Sequence, residues 1–390
     1  MSLHKQWGDK TEESINKQSI SRLMRLLKPQ KIRIALMSSD LRHHPVTYFV
    51  QPLLEHYDKR QFELYAYYFY PQEPDLIQKR IPALINKFSV YTKQNNQQIS
   101  QAITNDKLDI LFELGGGTFL NKVQVCAYRP APIQVSWLGY PHSVGLPSID
   151  YILVDPYTKP SQPQLILEKP FELARSWVSL GSLGFNDTPI EASIIEKRQG
   201  YLTFGTANNP YKYTPASFEA WASIMRQVDN SHFFLRPETG IQAFRDNVCG
   251  IFNKYGINSD RILFIPIRGS HLQYYNLIDI ALDSFPHVGG TTTCESLWMG
   301  VPVITLIGSG IYERLSYSNL VNAGLAELCA SRVEDYIKIA VDLAHDKAKR
   351  EYLRFNLRTQ IRNNPLGQTE QFVRNFEAAI IKTLNEHGAK

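Results

Sequence analysis

The sequence predicts an α/β chain of two lobes, each a parallel sheet flanked by helices, with further helices closing the C-terminus. Three observations predict it. Short apolar runs alternate with segments of helical period, the alternation is interrupted once and then restarts, and the periodicity from Val333 onward is helical throughout. A chain of 390 residues with 43% apolar content is long enough for two compact domains.

The elements follow in order. Residues 1–30 read as an N-terminal helical extension: 4–28 are polar and charged with scattered Leu and Ile, suiting one or two helices outside the main fold. Lys31–Met37 is a buried strand that stops at Ser38-Ser39-Asp40. Strands are expected again at Phe62–Phe69, Asp109–Leu114, Pro132–Leu138 and Tyr151–Val154, which assigns 31–185 to a first lobe. Continuous apolar strands separated by helical segments argue for a sheet covered on both faces. The stretch from Lys159 to Gly200 is rich in Pro, Gly, Ser and charge, and a linker is placed at 186–200. Strands resume at Tyr201–Gly205, His232–Leu235, Arg261–Pro266, Ile278–Asp283 and Val301–Leu306. Helices are expected around Val333–His345, Ala348–Arg362 and Thr369–Asn385, so that 201–390 forms the second lobe. No internal repeat of helical-repeat length is found.

Composition narrows the function. A formal charge of +5 suits a small anionic ligand such as a nucleoside diphosphate and lacks the basic density of a nucleic-acid groove. The four cysteines, Cys126, Cys249, Cys294 and Cys329, stand far apart with no C-x-x-C pair, which points to a reducing cytoplasm. No apolar stretch is long enough to span a bilayer, and the N-terminus has no signal-peptide core.

Four segments carry chemistry. In Asp283–Pro302 a strand end meets Gly289-Gly290, then Thr291-Thr292-Thr293 and a helix. Glycines let backbone approach a ligand closely, and the free N–H groups of a helix start attract phosphate. Thr291 and Thr292 add hydroxyl donors, and Glu295, one turn beyond Thr291, can accept from a ribose diol. An ordinary capped helix whose threonines satisfy only their own backbone is the alternative. In Phe204–Pro215 a strand leads through Asn208-Asn209 to Lys212, where α/β sheets bind ligands. A lysine there neutralises the charge of a departing diphosphate, unless it is simply a solvated surface lysine. In Ser38–Tyr48, His43-His44 sits in a strand-to-helix loop, where a histidine is a base, a sugar ligand or merely structural. Finally, Glu113-Leu114-Gly115-Gly116-Gly117-Thr118 permits close approach of a ligand or is a plain turn. There is no Walker A motif, no G-x-G-x-x-G, no H-E-x-x-H and no Asp-x-Asp, so a diphosphate would be held by Lys212 and helix-end amides without a metal.

Two long motifs, Tyr128–Asp155 (YRPAPIQVSWLGYPHSVGLPSIDYILVD) and Asp283–Thr305 (DSFPHVGGTTTCESLWMGVPVIT), resemble the catalytic region of the O-linked N-acetylglucosamine transferases, most closely their SPINDLY branch. The resemblance runs from about His4 to the C-terminal helices. It implies a GT-B fold, two Rossmann-like lobes with a central cleft, and an inverting, metal-independent transfer of sugar from a nucleotide sugar to Ser or Thr of a protein. By motif position, Lys212 matches the lysine on the donor diphosphate, Thr291 and Thr292 the helix-end threonines, and Glu295 the acidic residue on the ribose. His271 matches a histidine near the base, and His44 the first-lobe histidine facing the reacting sugar. His44 and Lys212 are thus the candidate catalytic residues. Asn209, Lys212, His271, Gly289, Gly290, Thr291, Thr292 and Glu295 are the candidate donor-binding residues. No cofactor, metal, nucleic acid or membrane partner is expected.

Two positions and one segment depart from the family pattern. Gly117 stands where close relatives carry histidine in Gly-His-Thr. Gly290 stands where they place histidine or threonine. Glu172-Leu173-Ala174-Arg175-Ser176-Trp177 replaces a Leu-Pro-Asp-x-Phe-like stretch. The family also carries tetratricopeptide repeats ahead of this region. UDP-N-acetylglucosamine is the first donor to consider, with GDP-fucose, glucose transfer to asparagine, and a catalytically weakened nucleotide-sugar-binding protein as alternatives.

Overall fold

The computed structural model describes residues 1–15, 31–191, 195–235, 241–264 and 271–388. It divides into two units, 1–184 together with 369–390, and 185–368. Parts of the expected N-terminal extension (16–30), of the expected linker (192–194) and of the strand expected at Arg261–Pro266 lie outside the described residues, as do Gly269 and Ser270.

Unit 1 opens with helix α1, Ser2–Glu13. Its parallel sheet comprises β1 Ile32–Ser38, β2 Phe62–Tyr68, β3 Lys87–Val90, β4 Ile110–Glu113, β5 Ile133–Ser136, β6 Tyr151–Val154 and β7 Lys169–Glu172, in the order β3-β2-β1-β4-β5-β6-β7. Helices α2, Pro45–His56, and α3, Asn96–Asn105, follow β1 and β3. The β1 side chains Ile34 to Met37 are fully buried because helices cover both faces of the sheet. β3 and β7 escape a sequence reading because they are edge strands: exposed ends at Lys87, Val90, Lys169 and Glu172 break the apolar run that marks a central strand.

The helix Thr369–Gly388 corrects the expected boundary of the second lobe, for it packs on unit 1. Phe376 lies 4.9 Å from Phe112 of β4 and 5.1 Å from Trp137, ring centre to ring centre. The backbone N–H of Asp58 donates to Glu377 Oε1 at 2.6 Å. A helical period announces a buried face but not the sheet it is buried against.

Unit 2 starts with the short helix α4, Ile195–Gln199. Its parallel sheet comprises β8 Leu202–Thr206, β9 Ser231–Leu235, β10 Ile262–Leu263, β11 Ile280–Leu282, β12 Val303–Leu306 and β13 Cys329–Ala330, in the order β10-β9-β8-β11-β12-β13. Around it lie α5 Pro215–Gln227, α6 Gln242–Lys254, α7 Thr291–Trp298, α8 Leu315–Asn322, α9 Val333–His345 and α10 Lys347–Arg362. Residues 186–191 and 195–200, taken as linker in the sequence, belong to this unit, as does Phe185, assigned to the first lobe; Trp298 Nε1 donates to Asn186 O at 2.7 Å. Its core packs Phe233 at a tilt against Trp221, ring centres 5.1 Å apart, and Phe252 at a tilt against Phe233 at 5.4 Å. The fully buried guanidinium of Arg354 donates to the carbonyls of Tyr275, Ile278 and Met299, tying α10 to the segments that enter β11 and leave α7. A buried charge is tolerated only when so many partners satisfy it.

Both sheets reverse direction once. The chain builds β1, β2 and β3 outward, then returns to place β4 beside β1; in unit 2 it builds β8, β9 and β10 outward and returns to place β11 beside β8. In such sheets the loops at the carboxyl ends of the strands flanking the reversal diverge and leave a crevice for ligands. The four chemistry-bearing segments of the sequence are the four loops that leave β1, β4, β8 and β11.

Candidate functional site

The unit 2 site is built from the loops after β8 and β11. The β8 loop passes through Asn208 and Asn209 into a 3₁₀ turn, Pro210–Lys212, where the Asn209 side chain accepts from the Tyr211 N–H at 3.1 Å. Asn209 itself is exposed. The turn aims Lys212 across to the β11 loop, and its Nζ donates to the carbonyl of Val288 at 2.8 Å. Burial pushes the Lys212 ammonium below its usual pKa, and nearby Asp283 partly offsets this. The lysine is therefore half-buried and anchored, unlike a solvated surface side chain.

The β11 loop leads into α7, whose first residue is Thr291 and whose N-cap is Gly290, with no side-chain cap bond. The capped-helix alternative therefore fails: among the described residues no side chain caps the first N–H groups of α7. Gly289 has no space for a side chain, since a Cβ would sit 2.3 Å from Thr293 Oγ1 and 2.9 Å from Thr292 Oγ1. At Gly290 a Cβ would meet only Leu315 Cδ1 at 3.5 Å, an ordinary contact.

Asp283, at the end of β11, organises both loops from beneath. Its Oδ1 accepts from Asn208 Nδ2 at 2.7 Å and from the Gly289 N–H at 2.8 Å, and its Oδ2 from Thr305 Oγ1 at 2.8 Å. Burial pushes its carboxyl up, while bonds from Ser316, Thr305, Gly289 and Asn208 pull it back. Thr292 Oγ1 donates to Asn208 Oδ1 at 2.5 Å, and the Thr293 hydroxyl lies 2.7 Å from that of Ser316. The Thr291 hydroxyl has no hydrogen bond among the described residues.

One turn into α7, Glu295 is buried with both carboxylate oxygens engaged. Oε1 lies 2.9 Å from His271 Nε2, and Oε2 accepts from Tyr275 OH at 2.8 Å. The structure therefore brings Lys212, Gly289, Gly290, Thr291 and Thr292 around one loop pair, with Glu295 and His271 paired at the adjoining turn. His287, which the sequence left unassigned, stands in the same loop. Its ring is edge-on to Tyr312 at 5.6 Å, and burial together with the Lys212 charge lowers its pKa to about 4. It is neutral at physiological pH.

In unit 1 the corresponding loops carry acids. His44 is the N-cap of α2: its Nδ1 accepts from the Val46 N–H at 3.3 Å, so the neutral ring carries its proton on Nε2. That Nε2 faces Asp40 Oδ1 at 3.9 Å, and Asp40 Oδ2 accepts from Asn121 Nδ2 at 3.2 Å. Burial is the largest influence on the imidazole and lowers its pKa; Asp40 opposes that, while Arg42 and His43 reinforce it. The β4 loop folds around Glu113, whose carboxylate accepts from the Gly115 and Gly116 N–H groups at 2.9 and 2.7 Å. Burial nevertheless raises its pKa to about 7. Gly116 needs to be glycine, at φ +53° beneath Tyr140, whereas a Cβ on Gly117 would meet nothing within 4 Å.

Sequence reasoning missed Asn208, Asp283, Tyr275 and His287 as site residues. Asp283 and Asn208 lie inside the quoted motifs, and a carboxylate ending a strand beside a glycine turn was the available signal. Nothing local marks Tyr275, which acts through a contact 20 residues away.

With this geometry in hand, the chain can be compared with known proteins. The profile of glycosyl transferase family 41 matches residues 10–169 and 195–376. A curated relative, the probable UDP-N-acetylglucosamine–peptide N-acetylglucosaminyltransferase SPINDLY of Petunia hybrida, is 33% identical over 90% of this chain and 38% of its own length. The SEC protein of Arabidopsis thaliana, of the same printed activity, is 28% identical over 92% of this chain and 38% of its own. An O-GlcNAc transferase variant of Thermobaculum terrenum superposes with a TM-score of 0.88 at 28% identity, over 99% of this chain and 74% of that one. Anabaena HepE, solved with UDP and glucose, matches at TM-score 0.56 and 12% identity over 90% of this chain and all of that one, a likeness of fold alone. The chain thus spans a little over a third of the length of the curated relatives it matches.

Proposed function

Because the chain belongs to glycosyl transferase family 41, a group of GT-B glycosyltransferases, we propose that it transfers a sugar from a nucleotide-sugar donor to a hydroxyl of Ser or Thr in a protein, inverting the anomeric centre without a metal ion. UDP-N-acetylglucosamine is the first donor, the one named for the SPINDLY and SEC relatives. The observation that carries the reading is the convergence of the Lys212 ammonium and the uncapped start of α7 on one loop pair at the strand reversal of unit 2.

In this reading the diphosphate lies against the α7 N–H groups, the Thr291 hydroxyl and Lys212, beside Thr292, whose hydroxyl proton is given to Asn208 Oδ1, while Glu295 and His271 receive the nucleoside. The acceptor oxygen bonds to the anomeric carbon as that carbon's bond to the diphosphate oxygen breaks; the bonding pair leaves with the nucleoside diphosphate, and the hydroxyl proton passes to a departing phosphate oxygen. Charge then builds on oxygens that Lys212 and the helix end already face. Such preorganised stabilisation is the largest source of rate in group transfer of this kind. His44 enters as a hydrogen-bond donor that orients sugar or acceptor. Its Nδ1 lone pair is committed to the Val46 N–H and its Nε2 bears the proton, so the resting ring has no free site to accept one. The cytoplasm is the proposed compartment; among the described residues no helix is long and apolar enough to cross a membrane.

Calorimetric titration with UDP, UDP-N-acetylglucosamine, GDP and GDP-fucose tests the proposal. Binding of UDP and its sugar, with slow donor hydrolysis or peptide transfer, supports it. Selective binding of the guanine pair replaces the donor with GDP-fucose. Donor binding with neither hydrolysis nor transfer leaves a nucleotide-sugar-binding protein, and no nucleotide binding at all overturns the reading.

A further inference from the structure

We propose that Asn208 is a positioning residue of the diphosphate site, holding the Thr292 hydroxyl and the start of α7 in register with the loop that carries Lys212. The inference rests on the donor-site reading above and adds to it a residue that touches neither phosphate nor sugar.

Asn208 is 3% exposed and joins three elements through one amide. Its Nδ2 donates to Asp283 Oδ1 at 2.7 Å and to Ser284 Oγ at 3.0 Å. Its Oδ1 accepts from Thr292 Oγ1 at 2.5 Å, and its backbone carbonyl accepts from Tyr213 OH at 2.8 Å. The orientation of the amide follows from its neighbours. A buried carboxylate accepts only, and the Ser284 hydroxyl spends its proton on the His287 carbonyl at 2.8 Å, so the side facing them must donate. The opposite side then accepts the Thr292 proton, so Thr292 offers no donor to phosphate and instead pins the start of α7 to the β8 loop.

The same Asp283 oxygen that binds Asn208 also binds the Gly289 N–H, so the amide and the glycine turn share one anchor. Lys212, four residues beyond Asn208, reaches back to Val288 in that turn. Loss of the amide frees both the Thr292 rotor and the spacing between the helix start and the lysine. The base and ribose side, Glu295 with His271 and Tyr275, has its own hydrogen bonds at 2.9 and 2.8 Å and meets the helix start through the longer 3.3 Å bond from Tyr275 OH to the Thr292 carbonyl. The consequence is specific: the phosphate contribution to binding falls while the nucleoside contribution stays.

The test compares affinities of the full chain for UDP and uridine, or for GDP and guanosine if the wild type prefers guanine, in Asn208→Asp and Asn208→Leu variants with melting curves alongside. Asp places an acceptor against the Asp283 carboxylate; Leu keeps the volume and removes both bonds. The expected result is a diphosphate-to-nucleoside affinity ratio about tenfold lower or more, the scale of one charge-assisted hydrogen bond, with nucleoside affinity unchanged. Asn208→Asp combined with Asp283→Asn exchanges the donating and accepting ends of the contact and is expected to recover part of the ratio. Where a single variant does not fold, Asn208→Ser, small and still polar, carries the same comparison. An unchanged ratio in folded variants overturns the role, as does a parallel loss of nucleoside and diphosphate affinity, the mark of a merely structural residue. A wild type that binds neither diphosphate more tightly than its nucleoside overturns the donor-site reading itself, a failure separable from the first.

Discussion

The two units wind their sheets alike, reversing between β1 and β4 in one and between β8 and β11 in the other, yet they gather opposite chemistry at that step. In unit 1 the loops carry Asp40, which faces His44, and Glu113, buried within its own glycine turn. In unit 2 they carry Lys212 and a bare helix start, with Asp283 withdrawn beneath and its oxygens consumed by Asn208, Gly289 and Thr305. Topology decides where side chains can meet, and loop residues decide the sign of the charge that meets there. An anion suits the second unit; the first offers acceptors and a neutral imidazole.

The sharpest way to break this comparison is Lys212→Ala. The proposal expects kcat to fall by about two orders of magnitude or more, the usual cost of losing a preorganised group that faces developing charge. Near-normal turnover with UDP-N-acetylglucosamine would remove the cationic half of the contrast.

The acidic half is tested through Glu113, whose folded pKa is raised from 4.5 to about 7 by burial. A carboxyl with a raised folded pKa binds its proton more tightly in the native state. Its stabilisation is therefore present below about pH 4.5 and is lost as pH rises through about 7, by about 3 kcal/mol in all. Glu113→Gln should flatten that dependence in denaturant melts across this window; a parallel pH profile in wild type and variant would show that the carboxyl is not so shifted.

His44 sharpens the contrast at smaller cost. His44→Ala removes the N-cap of α2 and should destabilise by about 1 kcal/mol, whereas Asn, a good N-cap, should hold stability near wild type. If melting shows the two variants equally destabilised, the capping geometry is wrong. Gly117→His should be the mildest change, within about 0.5 kcal/mol of wild type, since open space surrounds its Cβ and its backbone does not require glycine. A marked drop in melting temperature would mean that the β4 loop is more tightly covered than it is here.

Much of this was legible beforehand, because the signals were local. Apolar runs announced β1, β2, β4, β5, β6 and β8, since a central parallel strand is buried on both faces and has no room for polar residues. The edge strands β3 and β7 were not legible, since their exposed residues dilute that pattern. Lys212, Gly289, Thr291, Thr292 and Glu295 could be named because glycine turns, helix starts and strand ends leave a mark in neighbouring residues. Asn208 was quoted as part of a loop without a role, for its partners Asp283 and Thr292 are 75 and 84 residues away.

By itself the sequence determined the two-sheet plan, the loops that bear chemistry and the family to which they belong. Only the tertiary structure decided that the last helix packs on the first unit through Phe376, that one amide ties the β8 loop to the β11 loop and the start of α7, and that the proton of neutral His44 sits on Nε2. The reason is physical. Period and composition record whether a residue is buried or turned, whereas the choice of partner is made across long sequence separations, where complementary hydrogen-bond ends and packed rings select one neighbour among many.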